Sequence, residues 1–173
     1  VLDMLQVKER EYIVFTLNRK VLLADTPNLK AMLAAMCRAA DGVKILAPLR
    51  PTAAETVRPL AEGLDNFCII EPLSYLEFGY LTANAKGIVT DSGNVAEEAT
   101  FNGVPCVTLN SYTEHIETVK LGSNVLVGEN SDRLADAVAD IVKGQWKKCS
   151  LPDRWDGRTA ERILQILMEL RKE

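Results

Sequence analysis

Short, unbroken apolar runs recur along this chain with longer helical patterns between them, and that alternation most constrains the fold. The runs are YIVFT (Tyr12 to Thr16), VKILAP (Val43 to Pro48), NFCIIEP, GIVTD, VPCVTL and NVLVG. None alternates apolar and polar residues, as a strand with one wet face would. Continuous runs are what strands covered on both faces look like, and such strands belong to parallel sheets. The segments between them have helical signatures. TPNLKAMLAAMCRAA offers Thr26 as a cap, Pro27 at the first helical position and an apolar stripe of Leu29, Met32, Leu33 and Met36. A helix is expected from Thr52 to Leu64, weakened by Pro59 and broken by Gly63. Ser74 caps SYLEFGYLTANA, and another helix opens near Asn94. Glu114 to Leu121 reads as a short helix or loop, and Asp132 to Val142 as a helix. The tail, DGRTAERILQILMELRKE, is amphipathic, with Ile163, Ile166, Leu167 and Leu170 on one face.

Strand-helix repetition at this spacing builds right-handed βαβ units. The expected fold class is therefore α/β, a Rossmann-like doubly wound parallel sheet with NVLVG at an edge. No linker, internal repeat or low-complexity tract divides the chain, so residues 1–173 are expected to form one domain.

Composition narrows the function classes. The chain is 47% hydrophobic and 25% charged, ordinary for a globular protein. Its net charge is −4 and its basic residues are scattered, so no nucleic-acid partner is expected. No apolar run approaches the ~18 residues of a membrane span, so no membrane partner is expected either. The start, VLDMLQVKEREY, is charged and has no apolar signal region. It also lacks an initiator methionine, as a fragment or processed chain would. Cys37, Cys68, Cys106 and Cys149 include no C-x-x-C pair, so no metal site is expected. Cys68 and Cys106 sit in apolar runs and read as small buried hydrophobes of a reduced, cytoplasmic protein.

Doubly wound sheets bind ligands beyond the carboxyl ends of their strands. The turns to inspect are thus TLNRK, PLRPT, EPLSYLEF, TDSGN and NSYTEHIE. TDSGN is the strongest. Gly93 lets backbone approach a ligand, and the amides that follow Ser92 point out of a helix N-terminus, which suits phosphate. The same residues also fit a plain N-cap with no ligand. Glu97 and Glu98 follow on the first turns, where one carboxylate can face the cleft and the other solvent; both also suit a helix N-terminus. Phe78 could offer a base its face or serve as a core aromatic. Arg19 and Lys20 end the first strand and Arg50 the second, fitting either an anionic ligand or solvated loops. His115, the sole histidine, sits in TEHIE at another strand end. No G-x-S-x-G, Walker A or G-x-G-x-x-G sequence is present, which speaks against a serine hydrolase of that type, P-loop hydrolysis and hydride transfer.

With these residues in view, EPLSYLEFGYLTANAKGIVTDSGNVAEEATFNGVPCVTL resembles the C-terminal half of the non-hydrolysing UDP-N-acetylglucosamine 2-epimerases. The family pattern is E-P-L-x-Y-x-x-F, then T-D-S-G-G-x-x-E-E-A, then G-x-P and a T-E-R-P-E loop. The similarity extends to TLNRK, which is like the family's T-x-H-R turn, and to DGRTAERI near the end, so it covers nearly the whole chain. The resemblance implies the second domain of a two-domain GT-B fold, with the nucleotide sugar in the cleft. It implies UDP and UDP-GlcNAc as ligands, no cofactor, an absent N-terminal domain as partner, and a homodimer in the complete protein. The implied reaction is reversible conversion of UDP-GlcNAc to UDP-ManNAc: UDP leaves as C2 loses its proton, and adds back to the opposite C2 configuration. Phe78 matches the residue whose backbone meets uracil. Ser92 and Gly93 match the diphosphate turn, Glu98 the ribose-binding glutamate, and Arg19 the arginine of T-x-H-R.

This chain departs from the family pattern at several positions. Asn18 stands where the family has a histidine linked to activity, so the catalytic group is unknown, with His115 a candidate. PLRP puts Arg50 where a second family histidine lies. Asn94 replaces the second glycine of D-S-G-G, and His115 and Ile116 replace Arg and Pro of T-E-R-P-E. Asn cannot act as a general base near neutral pH. Binding is accordingly better supported by these residues than catalysis, and the alternatives to an epimerase are a GT-B glycosyltransferase or a nucleotide-sugar-binding module that has lost catalysis.

Overall fold

The structure is a computed structural model that describes residues 1–171. Six strands, all parallel, lie in the order β3-β2-β1-β4-β5-β6. They are β1 (Tyr12–Phe15), β2 (Lys44–Pro48), β3 (Phe67–Ile70), β4 (Gly87–Thr90), β5 (Cys106–Thr108) and β6 (Asn124–Leu126). This is the doubly wound order, so the Rossmann-like expectation holds. The chain winds outward from β1 to one edge, then returns to lay β4 on the other side of β1. Register there pairs Ile13 with Gly87, Val14 with Ile88 and Phe15 with Val89.

The period of two along β1 divides the core. Ile13 and Phe15 face one side, with Leu29, Met32, Leu33 and Met36 of α2 (Thr26–Ala39) and Leu134, Val138 and Ile141 of α7 (Ser131–Lys143). Tyr12 and Val14 face the other, with Leu81 of α4 (Tyr75–Ala83) and Ala96 and Ala99 of α5 (Gly93–Asn102). Both faces are therefore covered, which is why the strands read as unbroken apolar runs. Burial pushes the thiols of Cys37 and Cys106 up to about 12, leaving both protonated at neutral pH.

Several expectations are corrected. Asp25, not Thr26, caps α2: its carboxylate accepts from the Asn28 amide at 3.3 Å, because a short helix α1 (Lys20–Ala24) ends at Asp25 and α2 begins at once. Arg19 and Lys20 thus open α1 instead of ending a strand. Helix α3 (Pro51–Leu60) stops short of Leu64, with Pro59 in its last turn and Gly63 at φ +80° just beyond. Cys68 is only half-buried, since β3 is an edge strand. Glu114–Leu121 resolves into a short helix, α6 (Ile116–Lys120). The tail is helical as α8 (Thr159–Leu170), yet none of its residues is buried. Ile163, Ile166, Leu167 and Leu170 are all more than half exposed. Lys172 and Glu173 lie outside the described residues. Among those residues, no helix is long and apolar enough to cross a membrane.

Candidate phosphate-binding site at the switch point

Strand order reverses between β1 and β4, so the turns leaving them flank the crevice where such sheets bind ligands. Those turns are Thr16 to Arg19 and Asp91 to Gly93. Buried contacts lock them together. The Thr16 and Thr90 hydroxyls are 2.7 Å apart. One carboxylate oxygen of Asp91, Oδ2, accepts from the amides of both Asn18 (2.7 Å) and Arg19 (2.6 Å). Its Oδ1 is buried without a partner among the described residues. Asp91 was passed over in the sequence, where it reads as one more polar residue of a turn. Only the fold reveals that it braces two chain segments 73 residues apart.

Ser92 is the N-cap of α5, but its side chain makes no capping hydrogen bond. Its amide is held by the Thr90 hydroxyl at 3.0 Å. The helix N-terminus therefore presents a free hydroxyl and unpaired amides to whatever lies in front of it. In front lies a cavity of about 300 Å³, walled by Ser92, Gly93, Asn94, Asn110, Tyr112 and His115, together with Thr108, Thr113 and Glu114. The sequence singled out Ser92, Gly93, Asn94 and His115, and the structure brings these four together. It adds Asn110 and Tyr112, whose only sequence signal is their place at the end of β5.

His115 reaches the cavity through α6. Its carbonyl accepts from the Thr118 amide (3.0 Å) and hydroxyl (2.7 Å), and its amide donates to the Thr113 hydroxyl (3.1 Å). Its Nδ1 sits 3.0 Å from Glu97 Oε1. The ring lies against Gly93: a Cβ there would come within 2.9 Å of His115 Cδ2 and 3.1 Å of Nε2. A side chain at position 93 would force the His115 ring to shift, so glycine here serves close approach and not an unusual φ. Of the two glutamates, Glu97 is thus bound to the histidine. Glu98 is also half-buried, and its side chain makes no hydrogen bond among the described residues.

The remaining candidates lie around this centre or away from it. Arg19 directs its guanidinium to Asn110 Oδ1, the Leu109 carbonyl (3.3 Å) and Glu129 (3.3 Å). It borders the cavity through Asn110 without being part of its wall. The Asn18 side chain is exposed beside it. Phe78 packs at the edge of the core, and its amide donates to the Ser74 carbonyl at 2.8 Å inside α4. Arg50 is exposed at the end of β2, on the far side of β1 from the Ser92 turn, and the strand order keeps it out of the cavity. A larger hollow, about 830 Å³, lies between the amino-terminal segment and the entry to β2, lined by Asp3, Lys8, Asp41 and Lys44. Its size is not an argument for function, because it sits at the opposite rim from the one doubly wound sheets use.

Comparison with known proteins identifies the family of the chain. The family described as UDP-N-acetylglucosamine 2-epimerase matches residues 2–168. A UDP-N-acetylglucosamine 2-epimerase homolog of Methanococcus maripaludis is 36% identical over 144 residues, covering 80% of this chain and 40% of the relative. The structure of UDP-GlcNAc 2-epimerase from Methanocaldococcus jannaschii superposes with a TM-score of 0.79 at 33% identity, over 94% of this chain and 47% of that one. The same enzyme in complex with UDP-GlcNAc and UDP gives 0.72 at 34% identity, over 91% and 45%. The chain spans less than half the length of these relatives.

Proposed function

We propose, because the chain belongs to the UDP-N-acetylglucosamine 2-epimerase family, that residues 1–173 are the UDP-holding domain of an enzyme that inverts C2 of a UDP-linked N-acetylhexosamine. The observation that carries this reading is the uncapped Ser92 at the start of α5, opening onto a cavity at the switch point. Ser92 and the amides of Gly93 and Asn94 hold the diphosphate. Glu98, free of other partners, accepts the ribose hydroxyls. His115 faces the same phosphates through Nε2, since Nδ1 is turned to Glu97. Arg19 and the Phe78 backbone complete the nucleotide contacts from the margins, and Arg50 joins them only if the complete protein brings a ligand across β1.

The reaction is an elimination and re-addition. UDP departs from C1 with the bonding electrons as C2 gives up its proton, leaving a C1–C2 double bond. UDP then returns to C1 while C2 is protonated from the opposite face. UDP is both leaving group and nucleophile, so a pocket that keeps it oriented supplies much of the advantage. The groups that move the C2 proton belong to the other half of a cytoplasmic, homodimeric GT-B enzyme. The bare apolar face of α8 supports such a second unit, since several exposed leucines and isoleucines on one helix need a partner.

Calorimetric titration with UDP tests the cradle. Ser92→Ala and Glu98→Ala should each weaken binding about tenfold, the worth of one charge-assisted hydrogen bond. Unchanged affinity in both would refute the assignment. With half the cleft absent, the chain should bind UDP more weakly than about 1 μM, or about −8 kcal/mol. Asn18 favours a second reading, a nucleotide-sugar-binding module without catalysis. In the complete protein, Asn18→His raises turnover if the chain is an epimerase and changes nothing if it is not.

A further inference from the structure

The cavity assigned to a diphosphate is short of positive charge. Among the described residues its walls contain no lysine or arginine, and its ionisable side chains are Tyr112, Glu114 and His115. Arg19, the nearest arginine, is 3.3 Å from Glu129. Behind His115 lie two more carboxylates. Glu97, His115 and Glu117 each offer a ligand atom, and the three atoms lie within 4.8 Å of one another. All three residues are half-buried, and they come from α5, the start of α6 and its first turn. Without a cation, this edge would set two carboxylates beside a site meant for an anion.

We propose that Glu97, His115 and Glu117 form a binding site for one divalent first-row cation, placed to offset the charge of a phosphate-bearing ligand in the adjoining cavity. One imidazole and two carboxylates are a donor set suited to Mn²⁺ or Zn²⁺. At metal–ligand bonds of about 2.1 Å, neighbouring ligands at right angles are about 3 Å apart. Nδ1 of His115 and Oε1 of Glu97 already stand 3.0 Å apart. The Glu117 carboxylate oxygen, within 4.8 Å of both, closes the remaining distance by side-chain rotation. The histidine is prepared for the task, with its backbone fixed by Thr113 and Thr118 and its ring resting on Gly93. A cation on Nδ1 leaves Nε2 as an N–H donor on the side of the Ser92–Gly93 turn. It also cancels the charge of both glutamates. The spacing of residues 97, 115 and 117 matches no metal motif in the sequence, which is why the sequence points to no metal.

The coupling to phosphate rests on the nucleotide reading; the cation site does not. Mn²⁺ alone is the probe, because its preference for oxygen and nitrogen keeps exposed Cys149 from competing. Titration followed by electron paramagnetic resonance should find one bound Mn²⁺ per chain, with affinity falling at least tenfold in Glu117→Gln and in His115→Gln. Circular dichroism checks that both variants keep the fold. Equal Mn²⁺ affinity in wild type and variants, or no binding at millimolar metal, overturns the site. A parallel UDP titration, with Mn²⁺ or with chelator, separates the two readings. A UDP affinity raised at least tenfold by Mn²⁺ in wild type, but not in Glu117→Gln, supports the coupling. Saturable Mn²⁺ with no UDP binding under either condition would sink the nucleotide reading and leave the cation site standing.

Discussion

Among the described residues, two helices have a serine at the N-cap, and only one of them uses its side chain there. Ser74 begins α4 with a complete capping box: its hydroxyl accepts from the Glu77 amide at 3.4 Å, and the Glu77 carboxylate reaches back to the Ser74 amide at 3.0 Å. Ser92 begins α5 with its hydroxyl unused. Sequence preference places serine at both positions for the same reason, since a short polar side chain can satisfy an orphan amide. The residue three places on decides whether a reciprocal box can close. Glu77 sits at N3 of α4 and closes the box, whereas α5 has Val95 there and its glutamates come too late to reach back. A helix start that is finished internally is structural. One left open beside a cavity is available to a ligand.

The strongest way to break this contrast is to remove the brace beneath the open start. Asp91→Ala strands the amides of Asn18 and Arg19, at about 1–3 kcal/mol for each unsatisfied group. Urea unfolding should show a loss of about 2–6 kcal/mol, and UDP affinity should fall with it. Next in size is the exchange between the two serines. Ser92→Ala should cost about tenfold in UDP affinity and leave the unfolding midpoint in place. Ser74→Ala should do the reverse, lowering stability by about 1 kcal/mol with UDP binding unchanged. If both serines moved the same observable, the contrast would be lost.

Acid sharpens it further. Hydrogen bonds from the Ser74 hydroxyl and amide hold the Glu77 carboxyl below its usual range. A depressed folded-state pKa means that the box contributes fully above the ordinary glutamate range and is lost as pH falls through the lowered value. Amide exchange at the start of α4 should therefore quicken as pH drops below that range, once the intrinsic rate is corrected, and Glu77→Gln should abolish this pH dependence. The smallest effect expected is at Arg50. Arg50→Ala should change UDP affinity less than twofold, because β1 and the end of β4 separate it from the cavity. A large loss there would mean that the ligand extends across the switch point.

Much of the architecture was legible in the chain. Unbroken apolar runs report strands covered on both faces, and the apolar stripe of α2, Leu29, Met32, Leu33 and Met36, is buried. Errors collected at junctions. Helix α1 leaves no signal in the sequence because five residues are too few to show a period, and the Asp25 cap depends on where it ends. The candidate site was partly legible for a different reason. Ser92 and Gly93 advertise themselves by local backbone chemistry, which is a property of neighbours in sequence. Asp91, Asn110 and Glu117 do not, because each acts on a residue from another segment.

The sequence by itself therefore determined the class of sheet, the approximate position of the strand-to-helix turns and the presence of a helix start at Ser92–Gly93 after β4. Periodicity and turn chemistry are local, and local preferences act wherever the segment ends up. Only the tertiary structure decided which turns meet. The order β3-β2-β1-β4-β5-β6 sets TLNRK beside TDSGN and NSYTEHIE, and leaves PLRPT on the other side of β1. That order follows from how the crossover helices pack on the two faces, a sum of contacts between residues far apart in the chain. The Asp91 brace, the Glu97–His115 pair and the cluster with Glu117 exist only once that packing has been made.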